Sequence, residues 1–363
     1  MRNRPLALLM TFAPPDAENR LKTQLSVLQG LGFEVHTLGL GTNLLKGVTK
    51  HFELPESVGL WGFGKKAIVH LTRKPAGRFK NLRFPQRVID EINDFKYDLV
   101  VTHDLELLPV LTDPDISPTA FDSSIRQVDL HELHEFTAPA AGLLGLMWWV
   151  LRHRLRPYHE WLFSQLSSSR IDLVTVVNQS IGEWYLGNRH IKHFEEIRNA
   201  APYSDLEFEN RTEKGIRYLY HGKYAPKRGL ESLVQASLAM NDQDSMNFML
   251  TGNPREIKAF RSYAASKNPK VNFYPAVPMS QVCFEISKFD VEIIYFEPVT
   301  KNLLYTLPNK FFESVQGRLA IISGPSPELV RHIKHHNNGL YFDSWGSENL
   351  ANVIRGLDRK RVE

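Results

Sequence analysis

Short apolar runs that end in polar tips and lead straight into helical periodicity recur along this chain. That alternation constrains the fold more than any single residue does. Leu6–Phe12 (LALLMTF) is apolar without the every-other-residue pattern of a half-exposed strand, which suits a parallel strand covered on both faces. A loop (APPDAENR) follows, then LKTQLSVLQGLG, with apolar residues at 21, 25 and 28 and an end at Gly30–Gly32. FEVHTLGL reads as the second strand. Tyr97–Asp104 (YDLVVTHD), the strand within SIRQVDLHELHE, and Ile171–Ser180 (IDLVTVVNQS) repeat the motif. Strand, polar tip and helix in repetition imply an α/β fold with a doubly wound parallel sheet.

The rhythm breaks at Asn199–Gly215 (NAAPYSDLEFENRTEKG), a polar stretch with a proline, and then restarts. IRYLYHG, MNFMLTG, VNFYPAV, FDVEIIYFEP and RLAIISG read as strands, with helices between them in LESLVQASLAM and LPNKFFESVQG. SENLANVIRGL reads as a terminal helix. With 363 residues the chain exceeds one ordinary core. We therefore expect two Rossmann-like domains, 1–200 and 216–363, joined by a linker at 201–215, with the last helix free to return to the first domain. Two such domains face each other across a cleft, and ligands bind off the carboxyl ends of the strands.

Net charge of +4 permits an anionic ligand or a membrane surface without requiring either. Cys283 is the only cysteine, so no intrachain disulfide and no Cys-x-x-Cys metal site can form, and a reducing, cytoplasmic compartment is expected. The apolar run Leu6–Met10 is too short for a signal peptide, and no stretch reaches about 18 apolar residues, so no transmembrane helix is expected. Nothing points to nucleic acid.

Two segments carry chemistry. In YHGKYAPKRGLESLVQA (Tyr220–Ala236), a strand runs to Gly222, and a loop with Lys223, Lys227 and Arg228 precedes Gly229 and a helix. Cations beside unpaired N–H groups suit a diphosphate. In LPNKFFESVQG (Leu307–Gly317), Pro308 starts a helix and Gly317 ends it, while Asn309, Lys310 and Glu313 share one face. A carboxylate there can accept from both hydroxyls of a ribose, and Asn309 and Lys310 can meet phosphate. Taken alone, each segment is equally well a solvated basic loop or a surface Lys–Glu pair.

The order of these segments, with NNGLYF beyond them, resembles the carboxyl half of the retaining family 4 glycosyltransferases, which have the GT-B fold. PPDAENRLKTQLSVLQGLGFEV resembles that family's first loop and helix, and DLHELHE its Asp-x-His-Glu segment. The resemblance implies transfer of a sugar, with retention, from a nucleotide-diphosphate-sugar donor to a glycan or lipid-linked acceptor, in polysaccharide or glycolipid assembly. It implies a donor site of Gly222, Lys223, Arg228, Val277 (base near Tyr274–Pro278), Asn309, Lys310 and Glu313. Lys223 stands where the family has Arg, and Arg228 where it has Lys. Catalysis would rest on His131, Lys223 and Arg228, with His131 beside the donor sugar. Asp16, Arg20, His103 and Glu132 would lie on the acceptor side, unless Asp16 and Arg20 simply pair with each other.

There is one departure. Many family members carry Glu-x7-Glu ending at the ribose carboxylate, but eight residues before Glu313 stands Tyr305. Glu297 is a substitute candidate. Asp113–Asp115 and Asp242–Asp244 match the metal-binding Asp-x-Asp of another transferase fold but lie in turn-rich text, so turn chemistry is the reading and no metal cofactor is expected. Ala140–Phe163 has Trp148 and Trp149 ahead of Arg152, Arg154 and Arg156, a pattern that suits a peripheral membrane contact, a buried helix or a dimer contact. A sugar-nucleotide epimerase of the same fold and a non-catalytic scaffold are the rival functions.

Overall fold

The computed structural model describes residues 4–42, 45–54, 76, 79, 84–133, 157–188, 190–201, 203–207, 215–226 and 228–362. The chain forms two compact units, Met1–Ile197 and Arg198–Glu363. Each is an α/β unit around a parallel sheet.

In the first unit the strands are β1 (Leu6–Met10), β2 (Glu34–Leu40), β3 (Val48–Leu54), β4 (Leu99–Thr102), β5 (Ile125–Leu130), β6 (Leu173–Val176) and β7 (Glu195–Glu196). Among the described residues the sheet order is β3-β2-β1-β4-β5-β6-β7, with every pairing parallel. All five residues of β1 are fully buried, the physical reason for its unbroken apolar run. The helix Asn19–Gly30 buries Leu21, Leu25 and Leu28 against Ala7, Leu9 and Val101. Two strands of this unit escaped the sequence reading, as did β13 (Gly339–Tyr341) in the second. β3 lies at the sheet's edge and leaves most of its residues half-exposed, and β7 is two residues long.

The second unit has β8 (Arg217–Lys223), β9 (Ser245–Thr251), β10 (Val271–Tyr274), β11 (Val291–Ile294), β12 (Ala320–Ser323) and β13 (Gly339–Tyr341), in the order β10-β9-β8-β11-β12-β13, again all parallel. Tyr218, Tyr220, Phe248, Val291, Ile293 and Tyr295 form its core with Leu350 and Ile354 of the helix Ser347–Arg355. The last turn stays on this unit. Arg359 donates to the carbonyl of Gly215 at 3.5 Å and pairs with Asp290 at 3.0 Å.

Acidic residues stand just before several strands and do the same job in both units. Asp98 accepts from Leu6 N–H (2.8 Å), Asp172 from Arg126 N–H (2.8 Å) and Asp290 from Arg217 N–H (2.7 Å). Each satisfies an amide at the start of a neighbouring strand that no ladder partner reaches. The amino ends of the sheets are thereby closed off. Each sheet reverses its strand order once, between β1 and β4 and between β8 and β11. In doubly wound sheets that is where ligands bind.

Candidate functional site

At the first reversal, Asp129, 3% exposed on β5, gathers four donors. Arg20 forks onto it, Nε to Oδ2 and Nη2 to Oδ1 (2.7 Å), while its Nη1 donates to the carbonyl of Ile197 (2.7 Å). His103, which follows β4, places Nδ1 3.2 Å from Oδ2, and Thr175 of β6 donates to Oδ1 at 2.6 Å. Burial alone would raise the Asp129 carboxyl, but hydrogen bonds from His103 and Arg20, and their charges, hold it well below the usual carboxylate range. Arg20 therefore pairs with Asp129 rather than with Asp16. Arg20 and His103 are 7% and 2% exposed, so both sit beneath the surface. Asp104 likewise turns inward, accepting from Thr11 Oγ1 (3.0 Å) and Phe12 N–H (2.6 Å) and fixing the loop after β1.

His131 is the member of this cluster that reaches outward. Its side chain is 21% exposed, its Nδ1 lies 4.0 Å from Asp129 Oδ2, and its ring centroid is 6.3 Å from that of His103. Among the described residues, His131 Nδ1 and His103 Nε2 are buried without a hydrogen-bond partner. Asp16 is half-buried; Glu132 is exposed, and its carbonyl accepts from Tyr185 Oη at 3.2 Å. His103, Asp129 and His131 bring three ligand-type atoms within 4.8 Å of one another. Asp129 already accepts from Arg20, His103 and Thr175, however, and a guanidinium against it opposes a cation. The arrangement works as a hydrogen-bond network that orients the His103 ring, with His131 beside it.

At the second reversal the polar groups converge on His221, near the end of β8. Its Nδ1 meets Glu292 Oε2 of β11 at 2.9 Å and its Nε2 meets Glu313 Oε2 at 2.8 Å, while its N–H donates to Glu292 Oε1 at 3.3 Å. Glu292 is fully buried and Glu313 is 9% exposed. A carboxylate on each ring nitrogen suits an imidazolium, both of whose N–H groups donate. Burial alone would lower the His221 ring, and Lys310 opposes its charge. The charge of Glu292 and hydrogen bonds to Glu292 and Glu313 prevail and push it up to about 9. The native ring thus binds its proton more tightly than the unfolded chain does. Its stabilisation is complete below the ordinary value of 6.5 and disappears as pH rises through about 9. We expect the unfolding midpoint of the wild type to fall across that window by the equivalent of on the order of 3 kcal/mol. His221→Gln should unfold lower but stay flat there. A wild-type profile parallel to that of the variant would show the native ring to be neutral.

Glu313 belongs to the helix Asn309–Gln316, whose first turn follows Pro308 in extended conformation. The proline is the cap and not, as the sequence suggested, the first helical residue. Beside Glu313 lies a cavity of about 230 Å³ lined by His221, Gly222, Met249, Thr251, Ala276 and Val277, among others. Lys310 Nζ sits 3.7 Å from the centroid of the Tyr220 ring. Gly222 has φ of 122°, which side chains with a Cβ resist, and a Cβ there would come 3.4 Å from Lys310 Nζ. Asn309 is half-buried. Lys223 is exposed, Arg228 is half-buried, and Lys227 lies outside the described residues. Gly229 (φ 78°) brings the Arg228 loop against Glu297, whose Oε1 accepts from Tyr295 Oη (2.8 Å) and Ser232 Oγ (3.4 Å). Glu297 thus anchors the loop that carries Arg228.

Both Asp-x-Asp matches do local work. Asp113 accepts from Asp115 N–H at 2.9 Å, and Asp244 from Ile216 N–H at 2.8 Å. Of Ala140–Phe163, residues 140–156 lie outside the described residues, and 157–163 are helical with Tyr158 and Leu162 buried. No helix among the described residues is long and apolar enough to cross a membrane. The sequence reading missed Asp129, Glu292 and the role of His221. The signal was there in VDL, VEII and YLYHG: a charged or titratable residue inside an apolar strand must find a buried partner.

Neither a protein-family model nor a curated protein sequence matches the chain. Solved structures do. The lipopolysaccharide outer core galactosyltransferase WaaB, in its apo form, is 11% identical with a TM-score of 0.62 over 99% of this chain and 91% of its own. HepE from Anabaena in complex with UDP is 11% identical, TM-score 0.58, over 97% and 89%. WaaG, a glycosyltransferase involved in lipopolysaccharide biosynthesis, is 12% identical, TM-score 0.58, over 98% and 90%. At this level of identity the likeness is one of fold: two parallel-sheet α/β units, the fold class of the GT-B structures.

Proposed function

We propose that the protein is a glycosyltransferase that moves a sugar from a nucleotide-diphosphate-sugar donor to an acceptor held by its first unit. The observation that carries this reading is the cavity at the end of β8, where a carboxylate on a helix, a glycine-permitted close approach and a neighbouring lysine surround a nucleoside-sized space. HepE, which shares the fold, has been solved with UDP and with UDP-glucose, which supports the same donor class here. In this reading Glu313 accepts from the ribose hydroxyls and the backbone around Val277 meets the base. Asn309 and Lys310 approach phosphate. Lys223 and Arg228 stabilise the diphosphate as it leaves, where charge develops. His131, held above Asp129 by the buried network, orients the donor sugar.

Retention of configuration and attack on the same face as the departing phosphate rest on the resemblance to family 4, and activity without a metal on the turn reading of the Asp-x-Asp matches. A lipid-linked acceptor, a part in polysaccharide or glycolipid assembly, and a peripheral place on the membrane rest on the arginine–tryptophan pattern of Ala140–Phe163, and a cytoplasmic compartment on the single cysteine.

Thermal unfolding with UDP, GDP, ADP, dTDP and CMP and their sugar conjugates tests the reading. A ligand at about 100 times its Kd adds roughly 2.7 kcal/mol. One diphosphate should raise the wild-type midpoint by about 5 °C and leave Glu313→Ala within about 1 °C of its ligand-free value. If none does, the non-catalytic scaffold becomes the better account. Conversion of a sugar nucleotide without an acceptor would favour the epimerase.

A further inference from the structure

The proposed donor reading assigns no task to the buried pair behind Glu313, and burying His221 with two carboxylates is costly unless the geometry serves something. Glu292 is fully buried on β11 and engages His221 twice, through the ring and through the backbone amide, so the imidazole is held from behind. On the other side the ring takes Glu313 Oε2. Glu313 lines the cavity, and among the described residues no hydrogen bond or ion pair occupies its Oε1.

We propose that His221 is a positioning residue of the nucleotide site: it bridges Glu292 and Glu313 and fixes the Glu313 carboxylate with one oxygen committed to the ring and the other left to accept the hydroxyls of a ribose. The inference rests on the donor-site reading above and deepens it. An isolated glutamate on a helix samples several rotamers, and ordering it on binding costs affinity. Here the rotamer is set before ligand arrives. The ligand class is a ribonucleoside diphosphate, and 2′-deoxy analogues, which offer one hydroxyl fewer, bind more weakly.

The arrangement is also proton-dependent. When the ring loses its second proton, only one of the two carboxylates can keep a ring N–H donor, although Glu292 retains the His221 backbone amide. The groups facing His221 are Glu292 on β11 and Glu313 and Lys310 on the helix Asn309–Gln316, with Tyr220 adjacent on β8. Cys283, of the helix Val282–Ile286, feels the charge of Glu313, and burial raises its thiol. Ribonucleotide binding should therefore draw on the protonated ring and weaken as that proton leaves.

The test is calorimetric titration of the full chain with UDP, GDP and ADP, and with the 2′-deoxy form of whichever binds. The titration runs from about pH 7 to about pH 9.5 in two buffers of different ionisation enthalpy. For the wild type, Kd should rise about tenfold across the range with net proton uptake near its top, and the 2′-deoxy analogue should bind about tenfold more weakly at pH near 7. His221→Gln should bind the ribonucleotide about tenfold more weakly at neutral pH, with a flat profile and a reduced preference for ribose. Proton uptake by the wild type is informative even if the variant does not fold. Wild-type binding without proton uptake, or a pH profile that persists in His221→Gln and so belongs to another group, overturns the inference and leaves the donor reading standing. A wild type that binds none of the three diphosphates overturns both.

Discussion

Asp129→Ala is expected to lower the unfolding midpoint by about 10 °C, the largest effect on stability of any single change in the first unit. The reasoning concerns what remains behind. Asp129 is 3% exposed and receives both arms of Arg20, the His103 ring and the Thr175 hydroxyl. Removing it leaves a guanidinium 7% exposed with only the Ile197 carbonyl and leaves His103 Nδ1 without its acceptor. Stranding one partner of a buried ion pair costs about 3–5 kcal/mol, and each kcal/mol moves the midpoint of a unit this size by about 2–4 °C. The double variant Arg20→Met/Asp129→Leu should recover most of the loss, because the stranded charge is gone. A midpoint within about 2 °C of wild type for Asp129→Ala would mean that the network carries little stability. His131 would then lose the support that the proposed mechanism gives it.

The parts of the fold legible in the sequence were those written in local text. β1, β4, β6 and β11 are short apolar runs buried on both faces, so composition alone marks them. β3 was not legible because an edge strand with half-exposed residues has neither a buried run nor clean alternation. The site divided the same way. Gly222, Lys310 and Glu313 were legible because a glycine at a strand end and a capped helix have local signatures, and the structure gathers them beside one cavity. The two buried networks were not, since Arg20 and Asp129 lie 109 residues apart and His221 and Glu313 lie 92 apart. Nothing in either segment names its partner. Only tertiary packing could pair them.

Both networks serve the same end by the same means. A charged residue inside a strand beside the reversal point, Asp129 on β5 and Glu292 on β11, holds an imidazole, and another polar group carries its effect toward the surface: His131 in the first unit, Glu313 in the second. Side chains fixed in this way lose little freedom when a ligand arrives, which is how a binding site keeps affinity without large contact area.

Arg228→Ala should lower turnover by about 10²–10³-fold while leaving the midpoint within about 1 °C of wild type. The argument runs from where charge appears. In a donor sugar nucleotide the diphosphate gains negative charge as the bond to the sugar breaks, so a cation against it is worth more in the transition state than in the bound ground state, and its loss falls on kcat more than on KM. Arg228 is the more buried of the two cations. It is half-buried in a loop that Glu297, Tyr295 and Ser232 hold against Gly229, whereas Lys223 is exposed on β8. A planar guanidinium can also engage two phosphate oxygens at once, which a lysine cannot. Lys223→Ala is therefore expected to cost about tenfold, and Arg228→Lys to recover only part of the loss. The measurement is release of nucleoside diphosphate from the sugar nucleotide that the thermal-unfolding series identifies, followed as slow transfer to water and then with acceptor extracts. Turnover of Arg228→Ala within threefold of wild type would remove Arg228 from the chemistry and leave Lys223 and Lys310 as the cations for the departing diphosphate.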